Sequence, residues 1–125
     1  MTKGIVPVYL SEGGKGIRRL RILEYILLYA GIYVSEIKSK NLSYYERKIA
    51  RIVEKEFIPK GKVRKICYRG IYEGTPLTII LYHVKRKNAT YILIINYRRR
   101  RGILVRIASI LERAGFKTIL LIEVR

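Results

Sequence analysis

Two short runs in the C-terminal half constrain this chain more than any other feature. Tyr91-Ile92-Leu93-Ile94-Ile95 and Ile119-Leu120-Leu121-Ile122 are apolar at every position. A strand sends successive side chains to opposite faces, so a strand that is apolar throughout must be covered on both sides. Between the runs, Ile103, Leu104, Ile107, Ile110, Leu111 and Ala114 recur at helical spacing, and Gly115 fits the position just past a helix end. Strand, helix and second covered strand make a parallel crossover, whose hand is right-handed in nearly all folds.

The elements upstream can be read the same way. Residues 77–85 and 90–97 read as two strands of a hairpin around a polar turn at Asn88. Residues 62–72 alternate imperfectly through Val63, Ile66 and Tyr68, as an edge-like strand does, and Gly74 and Pro76 mark the turn that follows. Ser43 is an N-cap, and Glu46 three residues on completes a capping box. The helix it opens runs to about Phe57, with Tyr45, Ile49, Ile52, Val53 and Phe57 expected on the core face. Pro59 and Gly61 close it. Nearer the N-terminus, residues 5–10 suggest a strand, with Pro7 at an edge. The glycines of residues 11–16 match neither a dinucleotide nor a phosphate-loop spacing and read as a connection. Residues 17–29 read as a helix stopped by Gly31, and residues 32–37 as a strand or a short helix.

The expected fold class is α/β (α+β): a mixed sheet with a helix-strand-strand-strand-helix-strand core over residues 43–125. Residues 1–42 form an N-terminal strand-helix extension, the whole being one unit.

Charge narrows the partner. Lys and Arg number 27 against 9 acidic residues, a formal charge of +18. Such an excess points to a polyanion. The cations are spread along the chain rather than gathered in a tail or one amphipathic helix, which favours nucleic acid over a membrane surface. No Asp is present, and there is one His, His83, and one Cys, Cys67. A Ser-His-Asp triad cannot be written, and a Cys/His zinc site within the chain is nearly excluded. A single Cys allows no disulfide framework, and no signal peptide or membrane span is read, which together suit a cytoplasmic protein. Gln is absent and Asn occurs only three times. Depleted amides with abundant charge are a hyperthermophile tendency and point to a heat-loving archaeon or its virus.

From Ser43 onward the element order resembles the core of the PD-(D/E)XK nuclease superfamily, which includes the archaeal Holliday junction resolvases. Glu46 sits where that family's first helix often carries a Glu. The pair Pro76-Leu77 stands where the family has Pro-Asp, and Asn96-Tyr97-Arg98 where it has Glu-x-Lys. The resemblance therefore implies a restriction-endonuclease-like core whose metal-holding carboxylates on strands two and three are missing. Neither Leu77 nor the neutral Asn96 replaces an anionic oxygen ligand. What it would retain is a basic groove for a phosphodiester backbone, with no metal and no cofactor. Residues 17–57 also resemble a winged helix-turn-helix. Val34-Ser35-Glu36-Ile37 would be the turn and second helix, Leu42-Ser43-Tyr44-Tyr45 the start of the recognition helix, and the basic segment after Lys60 the wing.

Both resemblances imply nucleic-acid binding, DNA favoured over RNA, by a non-catalytic protein, with a homodimer as a further expectation. The candidate contacts are Arg47, Lys48 and Arg51; Lys62, Arg64 and Lys65; Lys85, Arg86 and Lys87; and Arg98, Arg99, Arg100 and Arg101. Tyr44 and Tyr97, beside these clusters, are the stacking candidates among eleven tyrosines. His83, with Lys85 two residues on, is the weak catalytic candidate, since a metal-independent ribonuclease can use His and Lys. A ribosomal or ribonucleoprotein component remains the third class.

Overall fold

The computed structural model describes residues 22–29, 31–86, 89–96 and 118–123, together with Arg106, Ile107, Ser109, Ile110 and Arg113. The chain builds a mixed α+β fold. Its elements in order are helix α1 (Ile22–Tyr29), strand β1 (Ile32–Ile37), one 3-10 turn (Ser39–Asn41) and helix α2 (Tyr44–Glu56). Strands β2 (Val63–Tyr72), β3 (Thr75–Val84), β4 (Ala89–Asn96) and β5 (Thr118–Glu123) follow. The five strands lie in one sheet in sequence order. The first four are antiparallel neighbours. β5 runs parallel to β4, with Ile92 opposite Ile119, and the helical residues Arg106, Ile107, Ser109, Ile110 and Arg113 lie in the connection between them. The parallel crossover expected from the two apolar runs is therefore present.

Strand alternation divides the core into two layers. Tyr68, Leu77, Ile79, Leu81, Ile92 and Ile94 pack with Leu27 of α1 and with Ile107 on one face. Cys67, Ile80, Tyr82, Val84, Leu93 and Ile95 pack with Ile49, Ala50 and Val53 of α2 on the other. This is why β3 and β4 carry no polar alternation: each face meets a helix. Leu27 and β1, which precede residue 43, belong to the same core and sheet as the rest.

Several expectations change. The strand of residues 63–72 is internal, because β1 pairs along its second half, Ile32 opposite Tyr72 through Ile37 opposite Cys67. Residues 32–37 are a strand, so Val34 to Ile37 do not form the turn and second helix of a winged helix-turn-helix. Ile32, Val34 and Ile37 are β-branched residues that suit the pleated surface they occupy. The β2–β3 turn is Glu73-Gly74 rather than Gly74 and Pro76, since Tyr72 faces Thr75 across it. Both turn residues have positive φ, 48° and 74°. That is the two-residue hairpin geometry whose twist matches the strands, and it explains the glycine. Pro76 lies in β3 one residue beyond the end of the β4 pairing, where a missing N–H breaks no ladder bond.

The core face of α2 is also rotated from the expected one. Glu46, Ile49, Ala50 and Val53 are buried, while Tyr45 is exposed and Ile52 and Phe57 are half-buried. A carboxylate can take the place of an apolar residue because a cation meets it inside the fold.

The strand expected at residues 5–10, the loop at 11–16, Lys87, Tyr97 and the arginines at 98–101 lie outside the described residues. Among the described residues no helix is long and apolar enough to cross a membrane.

Candidate nucleic-acid interface

Helix α2 begins as its sequence dictates. The Ser43 backbone N–H donates to Glu46 Oε1 at 2.8 Å, and the Glu46 N–H donates to Ser43 Oγ at 3.1 Å. This reciprocal cap satisfies two end groups and fixes the phase of the helix. With Glu46, Ile49, Ala50 and Val53 turned to the sheet, the opposite side carries Tyr44, Lys48, Arg51 and Lys55 at intervals of four, three and four residues. Arg47 flanks the line. All five side chains are exposed, Tyr44 to 75%. Eleven residue steps at 1.5 Å make this ridge about 16 Å long.

The carboxylates of α2 do not neutralise the ridge. Glu46 is fully buried and accepts from Arg69 of β2, whose same nitrogen donates to Thr78 Oγ1. Glu54 accepts from Lys65 Nζ at 2.9 Å. Glu56 aligns with Tyr45 and Ile52 on a different side of the helix. Among the described residues, Arg47, Lys48, Arg51 and Lys55 have no ion-pair partner.

From the C-terminal end of α2 the chain passes through exposed Lys60 and Lys62 into β2. Lys62 O accepts from the Lys85 N–H at 3.2 Å, so the segment before β2 lies against the β3–β4 turn that carries Lys85 and Arg86. Both of those side chains are exposed, as is Arg64. The structure thus brings three of the predicted clusters, around Arg47, Lys62 and Lys85, to α2 and the end of the sheet that α2 runs toward. Lys65 departs from its cluster. It is half-buried, paired to Glu54, and its ammonium lies 5.7 Å from the centre of the Tyr82 ring. Burial and the nearby Glu54 push the Tyr82 hydroxyl well above its ordinary range, and burial likewise raises the Cys67 thiol despite Lys65 beside it.

His83 lies on the α1 face of β3, in one row with Arg64 of β2 and Thr90 of β4. Its Nδ1 is 3.2 Å from Thr90 Oγ1. Partial burial, with Arg64 and Lys85 nearby, lowers its pKa below the usual 6.5 and keeps the ring neutral at pH 7. Lys85 follows the last residue of β3 and belongs to the turn, not to the strand face.

The positions aligned by the nuclease resemblance are not gathered in one place. Leu77 is buried on the α1 face, and Asn96 is its cross-strand partner. Glu46 lies under α2 on the opposite face, held by Ser43 and Arg69. No cluster of three or more His, Cys, Asp or Glu side chains suited to a metal occurs among the described residues.

Sequence reasoning missed Arg69 and Tyr33. Beyond the N-terminal end of α2, the described residues on the α2 face of β1, β2 and β3 line a concavity of about 550 Å³. Tyr33, Ile71 and Pro76 are cross-strand partners in one row, and Ser35, Arg69 and Thr78 in the next. Arg69 also donates to Asn41 O at 3.4 Å. The only available signal was alternation in β1 and β2, and it needed the register to become legible.

Compared with family models, with curated proteins and with solved structures, the chain matches none.

Proposed function

We propose that this protein binds the phosphate backbone of nucleic acid, duplex DNA favoured, without cleaving it, through the α2 ridge and the adjoining basic end of the sheet. The observation that carries the reading is the asymmetry of α2. Its carboxylates Glu46 and Glu54 are turned inward onto Arg69 and Lys65, while Arg47, Lys48, Arg51 and Lys55 stand outward with no ion-pair partner among the described residues. Backbone binding needs several such cations on one surface and no exact constellation. A ridge of about 16 Å covers the axial rise of roughly five base pairs. The turn cations Lys60, Lys62, Lys85 and Arg86 extend it. The test is fluorescence anisotropy with a labelled DNA duplex. Replacing Arg47, Lys48 and Arg51 together by Ala should weaken binding at least tenfold in a protein of unchanged circular dichroism. Unchanged affinity would rule out the ridge.

A second reading rests on His83. A neutral imidazole beside Arg64 and Lys85 has the groups for proton abstraction next to a phosphate, as in a metal-independent ribonuclease. Incubating labelled RNA with the protein in excess chelator tests it. Cleavage that vanishes in His83→Ala would establish it, and intact RNA would dismiss it.

A further inference from the structure

We infer that the open concavity on the α2 face of the sheet takes one unpaired nucleobase, stacked between the Tyr33 ring and the Arg69 guanidinium. The partner would then be a nucleic acid with an unpaired nucleotide beside a duplex segment. This inference rests on the phosphate-binding reading above and specifies its ligand.

Three observations support it. First, the surface is open and ring-bearing. Tyr33 is 69% exposed and Ile71 54% exposed, side by side on β1 and β2. Second, Arg69 is held still. Its guanidinium donates to Glu46, Thr78 and Asn41, and its side chain is 41% exposed within the concavity. Because Glu46 compensates its charge, Arg69 offers a flat face more than a bare cation, and bases stack on guanidinium planes as they do on aromatic rings. Third, the spacing suits a base. Tyr33 and Arg69 are diagonal neighbours on adjacent strands, two residues apart in register. Diagonal neighbours of this kind lie about 7–8 Å apart. Bases stack at roughly 3.4 Å per step, so that separation accommodates one base between two flat groups.

Charge complementarity argues for a nucleotide over an apolar peptide. Arg69 bonds to both the 3-10 turn and α2, so the concavity abuts the start of the basic ridge. A strand whose phosphates follow the ridge would pass the concavity where the ridge begins. Among the described residues, the side chains that line it on this face, Tyr33, Ser35, Arg69, Ile71, Pro76 and Thr78, include no carboxylate, and Glu46 is turned under α2 onto Arg69.

The experiment compares two DNA duplexes of equal length, one fully paired and one with a single unpaired 2-aminopurine. Binding is followed by anisotropy, and stacking by quenching of the 2-aminopurine fluorescence. The wild-type protein should bind the bulged duplex about tenfold more tightly and quench its fluorescence. Tyr33→Ala should lose the preference and the quenching while its affinity for the paired duplex is unchanged. Tyr33→Phe, which keeps the ring, should behave as wild type and shows that the strand still folds. Lys48→Ala with Arg51→Ala should weaken both duplexes equally and keep the quenching. Equal affinity for the two duplexes, or quenching that survives Tyr33→Ala, would overturn the inference while leaving backbone binding intact. Binding to neither duplex would overturn both.

Discussion

Removing the Glu46 carboxylate should destabilise the fold by an amount that can be worked out. Glu46→Ala deletes the Glu46 half of the capping box, the bond accepted from the Ser43 N–H, worth about 1 kcal/mol, while Ser43 Oγ still caps the helix. It also takes the carboxylate from Arg69. Breaking a fully buried pair costs roughly 3–5 kcal/mol, but the Arg69 side chain is 41% exposed, and solvent screens much of that. About 1–2 kcal/mol is left, for a total of about 2–3 kcal/mol. At about 3–4 °C per kcal/mol for a chain of this size, the melting temperature should fall by about 6–12 °C. Glu46→Gln can still accept from the Ser43 N–H, so it should lose only the charge term, about half as much. Thermal unfolding followed by circular dichroism measures both variants. A Glu46→Ala melting temperature within about 1 °C of wild type would refute the account of α2, and with it the reason that its cations face outward.

Two further outcomes are expected. His83 is the only histidine, so its ring protons titrate alone in an NMR spectrum. Its folded pKa lies below 6.5, first because of burial and then because of Arg64 and Lys85. The folded state therefore binds the proton less readily than the unfolded chain, and stability should fall as pH drops below about 6.5. His83→Gln should lessen that fall, and a His83 titration midpoint above 6.5 would contradict the sign. With magnesium or manganese, labelled linear and branched DNA should remain intact. Leu77 and Asn96 stand where the nuclease resemblance places metal-holding carboxylates. Metal-dependent cleavage that disappears in Glu46→Ala would overturn this.

Local physics made much of the fold legible in the sequence. The capping box fixed the start of α2 to the residue, and the doubly apolar runs marked β4 and β5 as parallel neighbours. What escaped was set by long-range pairing. Residues 63–72 read as an edge because their partner, β1, lies 26 residues or more upstream and gave an ambiguous local signal. The phase of α2 slipped because burial of Glu46 depends on Arg69, 23 residues away, and no helical stripe predicts a buried carboxylate. The same slip hid the functional distinction between cations. Lys65 and Arg69 look like Lys62 and Arg64 in the sequence, yet the first two face carboxylates under α2 and the other two are exposed. Only the register separates internal pairs from a surface available to phosphate.

If the outward cations of α2 contact phosphates, duplex binding must weaken steeply with salt. Each phosphate neutralised contributes about −0.9 to the slope of log affinity against log salt. Among the described residues, eight exposed cations of this surface, Arg47, Lys48, Arg51, Lys55, Lys60, Lys62, Lys85 and Arg86, would contribute about −7 to the wild-type slope. Replacing Lys48, Arg51 and Lys55 by Ala should flatten the slope by about 2.7, three contacts at 0.9 each. A variant that folds normally and keeps the wild-type slope would place the phosphates elsewhere and contradict the account.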